Sequence, residues 1–203
     1  MRTSRLETLT DGIFAIAMTL LILNLALPEV ADGVKKTQLH NLLLGQWEIF
    51  INYAVSFLVL AFFWLRHHRQ FHVIKRTDRI HLSINILFLM FVALVPFSTS
   101  LMGDYPHDRA AVSFFAANIF ILGMLSLLSW VYATRGHRLV DHSLTPQRIA
   151  RGIEMEAVMP LVSAMLVILS LIDPAACFYA FLVIPVLLLI SAYRYRKMPK
   201  DTI

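Results

Sequence analysis

Six long apolar stretches, separated by short polar segments, follow one another along the chain. A helix needs about 20 mostly apolar residues to cross the hydrocarbon core of a bilayer. Most of the stretches are near that length, so the pattern predicts six membrane-spanning helices. Their expected bounds are Gly12–Pro28, Leu43–Leu65, Leu82–Met102, Ala110–Ala133, Ala157–Ile172 and Ala175–Tyr193.

Only Asp173 and Pro174 separate the last two stretches. Together these stretches are about twice as long as one crossing requires. The pattern therefore predicts a tight helical hairpin, and a single broken pass is the less favoured alternative.

Composition agrees with a membrane protein. Hydrophobic residues make up 58% of the chain, charged residues only 15%, and the mean hydropathy is +0.69. Soluble domains are about half apolar and a quarter charged. We therefore expect an all-α integral membrane protein with one six-helix domain over residues 1–203. The single cysteine, Cys177, lies in an apolar stretch and is expected to be a small buried residue.

The positive charge is distributed as in a multi-pass membrane protein rather than a nucleic-acid-binding one. If the N-terminus is cytoplasmic, the loop from Arg66 to Arg79 and the C-terminal tail lie on the same side. Of the 18 basic residues, only Lys35, Lys36 and Arg109 then fall outside. This bias is the one that cytoplasmic loops show. It predicts both termini in the cytoplasm, a plasma-membrane location, contact with lipid headgroups and no nucleic-acid partner.

A few polar residues at the ends of the apolar stretches are candidates for chemistry. Asp11 is either a helix-end carboxylate or an anchor of a hydrogen-bond network. His67, His68 and His72 could suggest a metal, but no further ligands accompany them, so interfacial anchoring is favoured and no metal is predicted. Asn85 is expected to bond to a neighbouring helix. No catalytic motif is evident, and no enzyme activity or cofactor is expected.

The N-terminal segment resembles a known family. Arg5-x-x-x-Leu9-Thr10-Asp11 is similar to the Arg-x-x-x-Phe-Ser-Asp motif of the transmembrane protein 175 family of potassium channels. Residues 11–23, 63–68 and 85–97 resemble the first, second and third helices of that family. Leucine and threonine replace phenylalanine and serine of the motif, but each keeps the chemical character, so its role is expected to survive.

The resemblance implies a homotetramer whose first helices line a central pore for potassium. Ile16 would form the narrowest layer, Leu20 and Leu23 the next layers, and Thr19 could offer a hydroxyl to a partly dehydrated ion. The spacing of Ile16, Leu20 and Leu23 places them on one stripe of a helix. The same stripe could instead face lipid or another helix. The hydrogen-bond network expected to support the pore consists of Arg5, Thr10, Asp11, Trp64, His67, His68 and Asn85.

The interpretation reached from the sequence is a potassium-permeable channel that conducts ions down their electrochemical gradient through a hydrophobic constriction. A proton-coupled secondary transporter is the alternative, although it would require a titratable group near the middle of the membrane. A membrane-embedded enzyme that uses the histidines is a further alternative, and it would require a metal.

Overall fold

Five long helices and the beginning of a sixth carry the apolar stretches. The computed structural model describes residues 3–25, 40 and 44–181. The helices are α1 (Ser4–Leu20), α2 (Trp47–Val73), α3 (Arg79–Asp104), α4 (Arg109–Thr134), α5 (Pro146–Ile172) and α6 (Pro174–Phe181). A 3₁₀ turn, Leu21–Asn24, continues α1.

The five long helices of the described residues, the first counted with its 3₁₀ turn, are long and apolar enough to cross a membrane. The sixth predicted span begins as α6, directly after Asp173, and the rest of it lies outside the described residues. The end of the first predicted span, residues 26–28, and the beginning of the second, residue 43, also lie outside them.

Side-chain caps explain where four helices begin. Asp78 accepts a hydrogen bond from the backbone N–H of His81 at 2.9 Å, at the start of α3. Asp108 accepts from the N–H groups of Ala110 and Ala111 at the start of α4. Thr145 precedes Pro146 and caps α5, and Asp173 caps α6. Such residues satisfy the N–H groups that the first helical turn leaves unpaired.

Three helices extend well beyond their predicted bounds. Helix α1 begins at Ser4 rather than at Gly12. Helix α2 continues past Leu65 to Val73, and α5 begins at Pro146 rather than at Ala157. The predictions were too short because hydropathy locates the apolar part of a helix, whereas backbone hydrogen bonding continues into polar turns. The polar residues from Pro146 to Glu156 are therefore the first turns of α5.

Helix α4 lies at the centre of the subunit. It carries more buried residues than any other described helix, and its exposed large side chains, Phe114, Met124 and Leu128, lie along one stripe. Helix α5 approaches it closely at two glycines. A Cβ atom on Gly123 would lie 2.8 Å from Cδ of Pro160, and one on Gly152 would collide with the indole of Trp130. Small residues at these positions allow the two helices to pack tightly.

Aromatic contacts join the remaining helices. The ring of Phe88 on α3 lies 6.0 Å from that of Phe14 on α1 and 6.1 Å from that of Phe63 on α2. On the other side of α4, Phe115 contacts Phe181 of α6 at 4.7 Å. Cys177 is buried in this region, as expected. Helix α1 thus packs on α2 and α3, away from the pair α5 and α6.

A second, smaller hydrophobic core lies at one end of the bundle. It is formed by Ile74, Trp130, Ala133, Leu139, Val140 and Leu144. The backbone N–H groups of Lys75 and Arg76 both bond to the carbonyl oxygen of Leu139, at 3.0 and 3.3 Å. These bonds join the α2–α3 loop to the α4–α5 loop. Residues 74–78 and 135–145 are hereafter called the paired loops.

Candidate functional site

Helix α1 has one buried face and one exposed face. The buried face repeats at helical spacing through Leu6, Thr10, Phe14, Ala17 and Leu21. Another side carries large apolar residues that the described part of the chain leaves exposed. Ile16 is 60% exposed, Leu20 43% and Leu23 71%. The helix therefore holds an apolar stripe away from the core that the other helices form.

Thr19 lies beside the stripe and is also exposed. Its hydroxyl is within 3.0 Å of the carbonyl oxygen of Ala15 and 2.9 Å of that of Ile16. The hydroxyl proton is donated to the helix backbone, so the lone pairs of the oxygen remain available as acceptors. The side chain can therefore offer an oxygen atom to a cation.

A side-chain bond fixes α1 to α2 near the start of the stripe. The indole Nε1 of Trp64 donates to Oδ1 of Asp11 at 2.9 Å. The Trp64 ring also stacks on His68, with ring centroids 5.9 Å apart. Asp11 and His68 are exposed rather than buried. The contact is therefore an interhelical anchor at the subunit surface.

A separate polar chain is buried between α2, α3 and α4. Nε2 of His67 lies 3.1 Å from Oδ1 of Asn85, so Asn85 makes the expected bond to a neighbouring helix. The Asn85 amide donates to the carbonyl oxygen of His81 at 2.8 Å. Nε2 of His81 lies 3.1 Å from Oγ of Ser129, and its Nδ1 lies 3.0 Å from Oγ1 of Thr77. The sequence analysis missed His81, although its spacing of four from Asn85 places both on one face of α3.

Two residues of the expected network make no such contact in the subunit. Arg5 is exposed, and no hydrogen bond or ion pair reaches it within the described part of the chain. Thr10 is buried, but its hydroxyl has no partner among the described residues. Arg5 and Asp11 are six residues apart on α1, which directs their side chains about 120° apart. The seven residues expected to form one network are therefore distributed over two separate groups and two isolated side chains.

The sequence analysis also missed a buried ion pair. Nη2 of Arg66 lies 2.7 Å from Oε1 of Glu156, and both side chains are almost fully buried. Oγ of Ser126 donates to the other Glu156 oxygen at 2.7 Å, and the Gln70 amide donates to Ser126. The placement of Arg66 in a cytoplasmic loop was wrong because α2 continues through it. The spacing of four between Arg66 and Gln70 was the signal for a shared polar face.

The histidines of α2 do not converge on a metal site. His67 points into the bundle, whereas His68 and His72 are exposed. Among residues 3–25, 40 and 44–181, no three histidine, cysteine, aspartate or glutamate side chains lie close enough together to hold a metal ion. The polar groups present can bond helices together and accept a cation weakly, but they form no enclosed ligand set.

Long apolar helices with polar interhelical bonds define a multi-pass helical membrane protein. Residues 5–96 match a family model described as the endosomal/lysosomal potassium channel TMEM175. A potassium channel of Streptomyces collinus is 38% identical over 144 residues, which cover 68% of each chain. A potassium channel of Chamaesiphon minutus is 35% identical over 141 residues, 68% of this chain and 69% of that one. The chain therefore belongs to the TMEM175 family.

A solved structure supports the same assignment. It is that of a lysosomal potassium-selective channel TMEM175 homolog from Chamaesiphon minutus. It superimposes with a TM-score of 0.80 at 27% identity and covers 93% of this chain and 97% of that one. The arrangement of helices is therefore that of the TMEM175 channel fold.

Proposed function

We propose that the protein is a potassium-permeable channel in which four copies of α1 surround a central pore. The observation that carries this proposal is the exposed stripe of Ile16, Leu20 and Leu23 on a helix whose other face is fixed in the subunit. Relatives named as potassium channels support the choice of ion. No chemical step and no cofactor are involved.

The stripe would act as a hydrophobic constriction. Four isoleucine side chains meeting at a symmetry axis exclude water, and such a constriction gates by dewetting. Apolar side chains cannot replace the hydration shell of an ion, so the discrimination that they give between cations is modest and depends on the constriction being narrow and dry. The acceptor oxygen of Thr19, one helical turn from Ala15, would supply the polar contact that a partly dehydrated ion requires.

The bond between Trp64 and Asp11 would set the orientation of α1. Rotation of α1 about its own axis would change which side chain of the stripe faces the pore. A hydrogen bond from α2 at 2.9 Å resists this rotation. The bond lies at the start of the helix, near the first turn of the stripe, where it can hold the constriction in register.

The test replaces Ile16 with asparagine. An amide at the constriction hydrogen-bonds to water and would keep the pore wet. Conductance in planar bilayers should rise, and the permeability ratio of potassium to sodium, measured from bi-ionic reversal potentials, should fall. The effect should be largest at Ile16 and smaller for Leu20→Asn and Leu23→Asn, which lie in the wider layers.

Ile168→Asn is the matched control. It changes the same residue type on α5, where the side chain is 61% exposed, compared with 60% for Ile16. A polar amide at Ile16 or at Ile168 should disturb folding in lipid to a similar extent. Only the amide at Ile16, in the proposed pore, should alter conduction. If both variants assemble and conduct identically to the parent, the stripe faces lipid and the pore must be formed elsewhere.

The structure offers little support for the alternative function, a proton-coupled transporter. The carboxylate of Glu156 is buried inside the bundle, outside the span predicted from hydropathy, but it is paired with Arg66 at 2.7 Å and bonded to Ser126. A carboxylate held in this way contributes to structure and is not available as a carrier of protons. The geometry therefore favours a channel.

A further inference from the structure

The paired loops form a rigid unit at one end of the bundle. Ile74 and Val140 make an antiparallel bridge, and Leu139 accepts two backbone bonds from the opposite loop. The small hydrophobic core beneath them fills the space between Ile74 and Trp130. Side chains on this unit are therefore carried on a fixed frame rather than on two independent loops.

The outer surface of this unit is strongly basic. Its exposed cationic side chains and those of the adjoining helix starts are Lys75, Arg76, Arg79, Arg135 and Arg148. Arg138 is excluded from this set because its Nε lies 3.2 Å from Oδ2 of Asp78.

The carboxylates nearby neutralise only part of this surface, because two of them, Asp78 and Asp141, accompany six exposed basic residues, Lys75, Arg76, Arg79, Arg135, Arg138 and Arg148. Asp78 accepts hydrogen bonds from the His81 N–H and the Tyr132 hydroxyl in addition to its pairing with Arg138. These contacts, the His81 bond foremost, hold the pKa of the Asp78 carboxyl below its ordinary value. Asp141 accepts from the N–H of Ser143 at 2.8 Å, and this bond, with a smaller contribution from the nearby Arg76 guanidinium, holds the pKa of the Asp141 carboxyl below its ordinary value. Glu154 lies about 9 Å farther along α5 than Arg148, at 1.5 Å of rise per residue.

The paired loops lie at the ends of the long helices, at the depth where lipid headgroups meet a membrane protein. Helix α2 ends at Val73, α3 begins at Arg79 and α4 ends at Thr134, so the paired loops lie where three membrane-crossing helices meet the water interface. Trp130 and Tyr132 lie in the last turns of α4. Such residues are enriched at the boundary between hydrocarbon and headgroups.

We propose that the paired loops bind the phosphate of an anionic phospholipid headgroup, through Lys75, Arg76 and Arg135. Fixed cations at headgroup level and anionic lipid are complementary in charge, and each basic residue near such a surface adds attraction. The proposal does not rest on the channel function, since it requires only that the helices cross a bilayer.

The test measures lipid binding to the full-length protein in detergent. Native mass spectrometry would follow titration with phosphatidylglycerol and, separately, with phosphatidylcholine. Binding of phosphatidylglycerol should be saturable and tighter. Arg76→Gln and Arg135→Gln should each weaken it about fivefold, and the double variant about 25-fold, from the usual attraction per basic side chain. Arg76→Lys and Arg135→Lys keep the charge and should bind as the parent does.

Arg109→Gln is the matched control, since Arg109 is an exposed arginine at the opposite end of α4. It should leave binding unchanged. Equal weakening by Arg109→Gln, or equal affinity for the two lipids, would overturn the proposal. Displacement of phosphatidylglycerol by equimolar inorganic phosphate would identify the site as one for free phosphate and would also overturn it. If the glutamine variants do not fold, the parent protein still tests the proposal. Its affinity for phosphatidylglycerol must fall between low and high salt, and an unchanged affinity would contradict binding through charged side chains.

Discussion

Two threonines of α1 differ in their burial and in the hydrogen bonding of their hydroxyl groups. Thr10 is buried against the bundle with its hydroxyl unpaired in the described part of the chain, whereas Thr19 is exposed with its proton bonded to the backbone. An unpaired hydroxyl inside a membrane protein is unfavourable. An exposed acceptor oxygen beside an apolar stripe is instead available to a group outside the subunit, which in the proposed channel is the permeant ion. The two positions therefore differ in what they can contribute.

Thr19 gives the prediction at the residue scale. Thr19→Val keeps the shape but removes the acceptor oxygen, so the permeability ratio of potassium to sodium should fall by roughly fivefold, the equivalent of about 1 kcal/mol for one hydrogen bond. Thr19→Ser retains the hydroxyl and should conserve the ratio. Reversal potentials in planar bilayers measure both. An unchanged ratio in Thr19→Val would exclude the hydroxyl from selectivity.

Individual contacts were only partly predictable from the sequence. Resemblance to a family indicated Asp11, Trp64 and Asn85, and the structure places each in an interhelical hydrogen bond. It did not indicate Ser129 or Ser126, because small hydroxyl residues in apolar stretches are common and carry no periodic signal. Their partners depend on how α4 is rotated against α3 and α5. That rotation is set by packing at Gly123 and Gly152, which hydropathy does not report.

At the element scale, helices were predictable and their ends were not. Apolar stretches located all five long helices, yet α1, α2 and α5 extend well into polar sequence. Thr145 followed by Pro146 is a helix-start pattern that could have corrected α5. The end of α2 is set by a tertiary contact, because the backbone of Ile74 pairs with that of Val140 and not with the helix. A contact so distant in the sequence cannot be inferred from local pattern.

The pair of Arg66 and Glu156 gives the prediction at this scale. Glu156→Gln leaves a buried guanidinium without its counter-charge, and breaking such a pair costs about 3–5 kcal/mol. The free energy of unfolding, measured by denaturing-detergent titration, should fall by that order. Arg66→Met combined with Glu156→Met should recover much of the loss, because both charges are removed together. Glu156→Gln with parental stability would show that water reaches Arg66.

At the scale of the whole molecule, residues 3–25, 40 and 44–181 leave one face of the first helix exposed. Helix α1 contacts α2 and α3, and its remaining face presents Ile16, Leu20 and Leu23. Hydrophobic pattern in one chain does not specify what covers such a face, because lipids and further copies of the chain are equally apolar partners. The homotetramer therefore remains a prediction.

Topology gives the prediction at this scale. Six crossings place the C-terminus and the Asp104–Arg109 turn on opposite sides of the membrane, with the C-terminus in the cytoplasm with most of the basic residues. A fluorescent reporter that folds only in the cytoplasm should be bright at the C-terminus and dark in the turn. A phosphatase reporter should give the reverse. Bright fluorescence at both positions would place them on the same side of the membrane. That result would exclude the odd number of crossings that the six-helix topology places between them.

The ion pair between α2 and α5 also constrains the order in which the protein is built. Arg66 emerges from the ribosome long before Glu156, since α3 and α4 are made between them. Until α5 arrives, an unneutralised arginine at membrane depth is costly, and its long side chain can reach the headgroups only if α2 is displaced. Helix α2 can thus take its final depth only once α5 has been inserted. The hydrogen bond from Trp64 of α2 to Asp11 of α1 would then form late. Helix α1 is therefore synthesised first, but we expect it to be among the last helices to reach its final position.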